Sequence, residues 1–405
     1  VLGSADAGVF LYCMVQALLM AWLLGALLSE QRKSGAPRWL TVTSFLFYGL
    51  CPVFPLFAFC VGKDTNFSMA VLWLSLLIAR RLLSQSDGEK PSRWETPCLC
   101  AAAVLCTLLR NPGFYLALLT LLILLIFSLH GKRRVEGQWK SPVWALGCIL
   151  AVYGALHLLL IPALGIPDET ASGIYSVCFQ QSARVLRDHG DTVTPEEYAE
   201  IDRVLDAEKL PELYETNISD PVKFTFRYSG QGAAVEKEAL KRYAQTWKKM
   251  AAEYPLSYAE AFFGGSTGYY AFIPKLEGPS YNNQAGNRLM FETYTLGDDP
   301  GYVHTRQIGF LSKVRTLLAA YARGWRRIPL LSLLYGCATY TWLLVGVGLY
   351  LVRRGQWRRL AAFLPALLSL GVCMLSPVND YFRYFLPIVA MAFPLTGFAL
   401  RPKEN

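Results

Sequence analysis

Residues 113–130 read GFYLALLTLLILLIFSLH and carry no charged side chain. As an α-helix this run extends about 27 Å, close to the ~30 Å thickness of the hydrocarbon core of a membrane. Eight further apolar segments occur along the chain, at 8–29, 39–61, 67–84, 96–109, 143–164, 329–352, 359–376 and 384–400. Together the segments predict an all-α polytopic membrane protein with about nine transmembrane helices.

The composition excludes an ordinary soluble enzyme. Of the 405 residues, 53% are hydrophobic and only 17% are charged, whereas soluble domains contain about 25% charged residues. The net charge of +9 does not indicate a nucleic-acid-binding surface, because the polar stretch from Gly165 to Arg327 contains 19 basic and 21 acidic residues. The excess positive charge lies in short loops between apolar segments, where it sets topology. We therefore expect no nucleic-acid partner.

The charge of the short loops alternates along the chain. One set of segment ends carries 17 Lys and Arg residues, and the opposite short loops carry only Lys63, Arg110 and Arg383. Because basic loops remain in the cytoplasm, residues 165–328 are predicted to be extracytoplasmic and the C-terminus cytoplasmic. The same rule favours a helical hairpin over one broken helix at 96–130, since the loops on both sides of it are basic.

This topology divides the chain into three parts. Residues 1–164 form an N-terminal transmembrane module of six spans, 165–328 an extracytoplasmic segment and 329–405 a C-terminal module of three spans. Helices are expected at 170–188 and at 235–252. A third helix is expected to begin at the capping box Thr194-Pro195-Glu196-Glu197 and to run towards Asp206.

The extracytoplasmic segment ends in a basic amphipathic pattern. Apolar residues recur there at helical spacing, at Ile308, Leu311, Val314, Leu318 and Tyr321. The accompanying cations include Arg323, Arg326 and Arg327. The pattern predicts a helix on the outer membrane surface, suited to an anionic lipid headgroup or a lipid phosphate. Ordinary interfacial anchoring by long basic side chains is the alternative.

Charged residues in the three short outer loops are the main candidates for chemistry. The loops contain Lys63-Asp64, Arg110-Asn111 and Asn379-Asp380-Tyr381-Phe382-Arg383-Tyr384. A carboxylate among several cations suits transfer of a group from an anionic donor, since the cations bind the leaving phosphate and the carboxylate deprotonates the acceptor. The alternative is that Asp64 pairs with Lys63 and Asp380 with Arg383 as interfacial anchors.

Other sites of chemistry receive little support. His157 is expected to face the helix bundle as a hydrogen-bonding residue, with a proton relay as the alternative. No Cys/His cluster indicates zinc, and no Walker A, GxSxG or HExxH motif occurs. We expect no cofactor, and the pattern leaves a requirement for a divalent metal open.

Several short motifs resemble the GT-C superfamily of membrane glycosyltransferases. Residues 57–64 (FAFCVGKD), 108–115 (LLRNPGFY) and 381–387 (YFRYFLP) are similar to outer-loop sequences of these protein-mannosyltransferase-like enzymes. Residues 180–184 (QQSAR) and 219–223 (SDPVK) resemble a bacterial branch of that superfamily. The resemblance covers most of the chain.

The resemblance implies a polyprenyl-phosphate-linked sugar as the donor, inverting transfer at the outer face and no nucleotide sugar. It also implies a first helix and an outer loop with the main acidic residue upstream of Val1, so we expect that base to lie outside this sequence. Asp64 matches the second acidic position. By position, Lys63, Arg110 and Arg383 are candidates for donor phosphate binding. Further candidates are Asn111, Asp380, Tyr384, Gln181, Arg184, Arg323, Arg326 and Arg327.

The leading hypothesis is a bacterial cell-envelope glycosyltransferase of the cell membrane. Its expected partners are membrane lipid, a polyprenyl-phosphate-linked sugar and a glycan, lipid or protein acceptor of the envelope. A transporter or flippase of a lipid-linked or anionic substrate is the alternative, although no inverted repeat is visible. A non-catalytic envelope assembly protein is a third hypothesis.

Overall fold

Helices account for the regular secondary structure of the chain, apart from one isolated antiparallel bridge between Glu215 and Ile218. This statement covers the residues that the computed structural model describes, which are 5–87, 92–130, 139–164, 171–228, 233–272, 309–325, 328–376 and 379–401. The chain divides into two units. The prediction of an all-helical chain is thereby confirmed for the described residues.

The first unit comprises Val1–Gly165, Leu289–Gly371 and Phe382–Asn405. Its helices up to residue 164 are Ala5–Lys33, Arg38–Leu50, Val53–Ala58, Lys63–Asp87, Glu95–Leu109, Asn111–His130, Lys140–Gly154, a π-helical turn at Ala155–Leu160, and Ile161–Ala163. Its later helices are Gly309–Trp325, Pro329–Leu333, Cys337–Arg353, Trp357–Ala361, Leu364–Met374, which continues into the second unit, and Phe382–Ala399.

Within the described ranges, four helical stretches are long and apolar enough to cross a membrane: Ala7–Lys33, Asn111–Leu129, Lys140–Ala163 and Phe382–Ala399. Shorter apolar helices occur at Glu95–Leu109, Cys337–Arg353 and Leu364–Met374. Several apolar helices of this kind are what a membrane protein requires. The number of nine crossings stays a prediction.

Three of the expected spans are not single helices. The segment 39–61 breaks after Leu50, where Cys51 is extended (φ −69°, ψ 120°) because it precedes Pro52. The 13-residue helix Arg38–Leu50 is about 20 Å long, too short to cross the hydrocarbon core alone. The spans expected at 329–352 and 359–376 are likewise each divided into a short and a longer helix.

The segment 96–130 forms the expected hairpin. Glu95–Leu109 and Asn111–His130 pack against each other, and Arg110 between them is extended (φ −152°, ψ 142°). Gly113 permits the close approach, because a Cβ at this position would collide with the carbonyl group of Cys106.

The helix Phe382–Ala399 is central to the first unit. It is the most buried of the membrane-length helices and packs against Ala5–Lys33, Arg38–Leu50, Lys63–Asp87 and Cys337–Arg353. Pro394 within it cannot donate a backbone hydrogen bond to the carbonyl oxygen of Ala390. The hydroxyl of buried Tyr48 donates to that oxygen instead.

The second unit comprises Ile166–Arg288 and Val372–Tyr381. Its helices are Ala171–Ile174, Ser176–His189, Pro195–Val204, Leu210–Leu213, Asp220–Lys223, Ala233–Glu253, Pro255–Gly265 and the 3₁₀ turn Thr267–Tyr269. The helix expected at 170–188 is interrupted at Tyr175. The capping box is confirmed: Glu197 N donates to Thr194 Oγ1 at 3.3 Å and Thr194 N to Glu197 Oε2 at 3.0 Å. A buried hydrophobic core, which includes the aromatic side chains of Phe179 and Tyr243, stabilises this unit.

The boundaries of these units differ from the expected division at 164 and 328. The helix Gly309–Trp325 groups with the apolar helices, because the Tyr321 hydroxyl donates to Leu50 O and the Tyr335 hydroxyl donates to Ala322 O. Residues 372–381 group with the second unit, where the Asn379 side chain accepts a hydrogen bond from Gly268 N at 2.8 Å.

Candidate functional site

Asp64 lies at the beginning of the helix Lys63–Asp87, in the first turn. A carboxylate at this position is stabilised by the helix dipole. The Asp64 side chain is 19% exposed, so it is largely shielded from bulk water while one side stays accessible. Asp64 Oδ1 is buried and accepts no hydrogen bond from the described residues.

Two guanidinium groups flank the Asp64 carboxylate. Arg110 Nη1 lies 3.3 Å from Oδ1, and Arg383 Nε lies 3.7 Å from Oδ2. Arg110 is the single extended residue of the hairpin, and Arg383 belongs to the first turn of Phe382–Ala399. Residues from three distant parts of the sequence therefore form one charged cluster, which we call the Asp64 cluster: Asp64, Arg110, Arg383 and Tyr384.

Tyr384 orders the two arginines of the Asp64 cluster. The Arg110 Cζ lies 4.2 Å and the Arg383 Cζ 4.8 Å from the centroid of the Tyr384 ring. Arg383 Nη2 also donates to the Tyr384 hydroxyl at 2.8 Å. Stacking on an aromatic ring restricts the planar guanidinium while its edge stays able to donate hydrogen bonds.

The Asp64 cluster differs from the interfacial anchor in which Asp64 would pair with Lys63. Lys63 is exposed and makes no ion pair with any residue in the described part of the chain, so Asp64 pairs with the two arginines rather than with its neighbour. Among the described residues, two guanidinium groups flank this one carboxylate. Guanidinium groups bind anions such as phosphate, and here a carboxylate lies beside them.

The segment before Asp64 is held by Gln16, which sequence reasoning did not identify. Gln16 is 2% exposed, and its Nε2 lies within hydrogen-bond distance of Ala58 O (2.8 Å), Cys60 O (2.9 Å) and Phe57 O (3.3 Å). These carbonyls lie at and just after the end of the short helix Val53–Ala58, where backbone carbonyls lack an intrahelical donor. Phe57 O also accepts from Cys60 N at 3.2 Å. A polar amide in the middle of the apolar stretch of the helix Ala5–Lys33 was the available signal.

Comparison with known proteins places the chain in a family. The family model described as "Family of unknown function (DUF6020)" matches residues 1–403. The chain belongs to this family. No curated protein and no solved structure matches it.

Two further candidates of this DUF6020 member, Gln181 and Arg184, have internal roles in the second unit. Gln181 donates to Tyr258 O at 3.2 Å and accepts from Trp247 Nε1 at 3.1 Å. Arg184 pairs with Asp188 at 2.7 Å and with Glu260. Both side chains hold helices of the unit together, and neither belongs to the Asp64 cluster.

Asp380 also lies in the second unit, with Asn379. Its backbone is left-handed (φ 58°), it is 6% exposed, and Gly268 approaches it so closely that a Cβ on Gly268 would collide with it. A non-glycine residue in this conformation is strained.

Asn111 begins the helix that follows Arg110 and is thus adjacent to the Asp64 cluster.

The basic helix is only partly described. Gly309–Trp325 is helical, with Val314, Leu317, Leu318 and Tyr321 exposed. The Arg323 side chain, Arg326 and Arg327 lie outside the described residues, so their role stays a prediction.

The expectation for His157 was wrong. It lies in the π-helical turn Ala155–Leu160, its side chain is exposed rather than directed into the bundle, and its ring lies 4.2 Å from that of Tyr153. In the described part of the chain, no group of three or more His, Cys, Asp or Glu residues is arranged to bind a metal.

Proposed function

We propose that this protein is a membrane glycosyltransferase that moves a sugar from a polyprenyl-phosphate donor to an acceptor of the cell envelope. In this proposal the chain crosses the membrane about nine times, residues 165–328 are extracytoplasmic, and transfer takes place at the outer face. The proposal rests on one observation: a carboxylate lies between two stacked guanidinium groups, at helix ends rather than in the middle of the apolar helices.

Each group of the Asp64 cluster has a role in such a reaction. The acceptor hydroxyl gives its proton to Asp64, and its oxygen attacks the anomeric carbon of the sugar. The bond from that carbon to the phosphate oxygen breaks, and the phosphate leaves with the electron pair. Arg110 and Arg383 stabilise the charge that develops on the phosphate, and a direct displacement inverts the anomeric configuration.

The surroundings of the cluster suit a lipid-linked donor. The first unit exposes large apolar side chains along helices of membrane length, including Leu158, Leu159 and Leu164. Such faces are stable only against lipid. A polyprenyl chain remains in this environment while its phosphate reaches the charged helix ends.

The test is sugar transfer by the purified full-length protein in lipid nanodiscs. Polyprenyl-phosphate-linked hexoses serve as donors, and envelope glycan fragments as acceptors. Asp64→Asn preserves size and polarity but removes the base, so transfer is expected to fall roughly 10²-fold or more. The matched control is Asp206→Asn, which alters a carboxylate paired with Lys209 in the second unit. Transfer by Asp64→Asn at the control level contradicts the proposal, as does the absence of transfer from every donor.

A further inference from the structure

The second unit contains a cleft that is chemically different from the Asp64 cluster. It is open to solvent and is lined by residues of Ser176–His189, the turn at 216–219, Pro255–Gly265 and the segment 374–376. None of the eleven described residues that line it is charged. The described lining residues therefore offer no cation to a phosphate and no carboxylate to an ammonium group.

The wall of the cleft contains a buried acceptor to which no described residue donates. Gln180 is 5% exposed, and its Nε2 donates to Glu215 O and Ile218 O, which fixes the orientation of the carboxamide. Gln180 Oε1 is buried and accepts no hydrogen bond from the described residues. A buried acceptor in this state requires a donor, and the donor must be neutral in a cleft without charges.

The other lining residues suit a ligand with hydroxyl groups. Thr216 and Ser376 contribute hydroxyls, which both donate and accept, and Phe262 contributes a partly exposed aromatic ring. A sugar hydroxyl also donates and accepts, and the C–H face of a sugar ring packs on an aromatic ring. The enclosed part of the cleft has room for little more than one water-sized group. A ligand therefore inserts one hydroxyl and lies across the opening.

Close backbone contacts hold this cleft in shape. A Cβ on Gly264 would lie 2.5 Å from Thr216 Cγ2, so glycine at this position lets the Thr216 side chain pack closely against the helix Pro255–Gly265. The Asn379 side chain joins the same region, since its Nδ2 donates to Gly264 O at 3.3 Å. The wall is thus built from parts of the chain more than 100 residues apart.

We infer that this cleft binds an uncharged saccharide, with one sugar hydroxyl donating to Gln180 Oε1 and the ring lying against Phe262. Its assignment as the acceptor site rests on the proposed transferase function, in which it makes the acceptor a glycan. Binding of the saccharide does not depend on the reaction.

Saturation-transfer NMR on the full-length protein tests this inference. The protein is placed in nanodiscs, because detergents with sugar head groups compete. The probes are methyl glycosides of glucose, galactose and N-acetylglucosamine, with triglycine as a peptide comparison. We expect one or more glycosides to bind in the millimolar range and Phe262→Ala to weaken this binding about tenfold. Gln180→Met is expected to have the same effect.

Ser176→Ala is the matched control, since Ser176 is buried one turn before Gln180 and does not line the cleft. The Ser176→Ala variant is expected to bind the glycosides as tightly as the wild type does. The same is expected of Asp64→Asn, which lacks the proposed base. If Gln180→Met fails to fold, Phe262→Ala decides alone, because it leaves the Gln180 hydrogen bonds intact. Binding of triglycine but no glycoside, binding of neither, or full binding by Phe262→Ala each overturns the inference. Saccharide binding by the wild type without sugar transfer from any donor contradicts the transferase proposal only.

Discussion

The side-chain nitrogen of Gln16 lies 2.8 Å from the carbonyl oxygen of Ala58, 42 residues further along the chain. This contact attaches the segment that leads to Asp64 to the middle of the first long helix. Gln16, for which the sequence predicted no role, therefore holds the segment that precedes the proposed catalytic carboxylate.

Gln16→Leu is expected to displace this segment and to lower kcat for sugar transfer about tenfold or more, with a smaller change in the KM for the donor. The physical reason is that the carbonyls of Ala58 and Cys60 lose the Gln16 donor, at a cost of about 1–3 kcal/mol. Steady-state transfer kinetics measure the effect. Gln31→Leu is the control, because Gln31 is an equally buried glutamine of the same helix that contacts Phe393 O instead. Equal loss of transfer in both variants would assign Gln16 a purely structural role.

Arg110→Lys is expected to raise the KM for the lipid-phosphate donor about tenfold, although the charge is retained. Lysine loses the planar stacking on Tyr384, for which estimates are about 0.5–2 kcal/mol, and the paired N–H groups that bind phosphate. Arg93→Lys is the control, since Arg93 stacks on Trp94 (5.6 Å) away from the cluster. An unchanged donor KM in Arg110→Lys would exclude Arg110 from phosphate binding.

Gly113→Ala is expected to destabilise the protein by about 1–3 kcal/mol, because the new methyl group collides with the Cys106 carbonyl in the hairpin. Gly147→Ala places the same methyl group in open space on a neighbouring helix. There it is expected to be neutral or to stabilise by about 0.5–1 kcal/mol. Thermal unfolding of both variants in nanodiscs provides the comparison, and equal unfolding temperatures would argue against the tight hairpin.

Tyr48→Phe is expected to cost about 1–3 kcal/mol of stability, because the Ala390 carbonyl loses its donor. The double variant Tyr48→Phe/Pro394→Ala tests whether this lost hydrogen bond is the cause. Alanine restores a backbone N–H that can bond to Ala390 O, so the cost of Tyr48→Phe is expected to be smaller in that background. An identical cost in both backgrounds would show that Tyr48 acts through packing alone.

Single cysteines on a cysteine-free background test the proposed sidedness. A cysteine at Glu208 is expected to react with an impermeant reagent added from outside, and cysteines at Lys33 and Arg354 only after permeabilisation. All three positions are exposed, and the 17-to-3 distribution of basic residues supports the orientation. The reverse pattern of labelling would place the Asp64 cluster on the cytoplasmic side.

Local patterns in the sequence predicted most of the helices. The charge-free run at 113–130 and the capping box at Thr194 depend on residues close together in the chain. The hairpin at Arg110 was predicted from the basic loops on both sides of 96–130. The breaks after Leu50 and at Tyr175 were missed, although Pro52 carried a signal for the first of them. An apolar run through a proline was interpreted as one span because its composition suits a membrane, while proline geometry determines where the helix ends.

The candidate site was predictable only in part. The loop charges indicated Asp64, Arg110, Arg383 and Tyr384, and all four lie together in the structure. The same reasoning included Gln181 and Arg184, whose polar groups hold the second unit together. A motif in the sequence shows which groups are present but not whether a neighbouring helix already binds them.

By itself, the sequence determined the helical class, the apolar segments of membrane length and the loops that carry charge, because each follows from residue types within one or two turns of chain. The tertiary structure decided that Asp64 pairs with Arg110 and Arg383 rather than Lys63, and that Gln16 supports its segment. It also decided that Gln180 presents to a cleft an oxygen that accepts no hydrogen bond from the described residues. These contacts join residues far apart in sequence, and their geometry depends on helix packing, which no local pattern specifies.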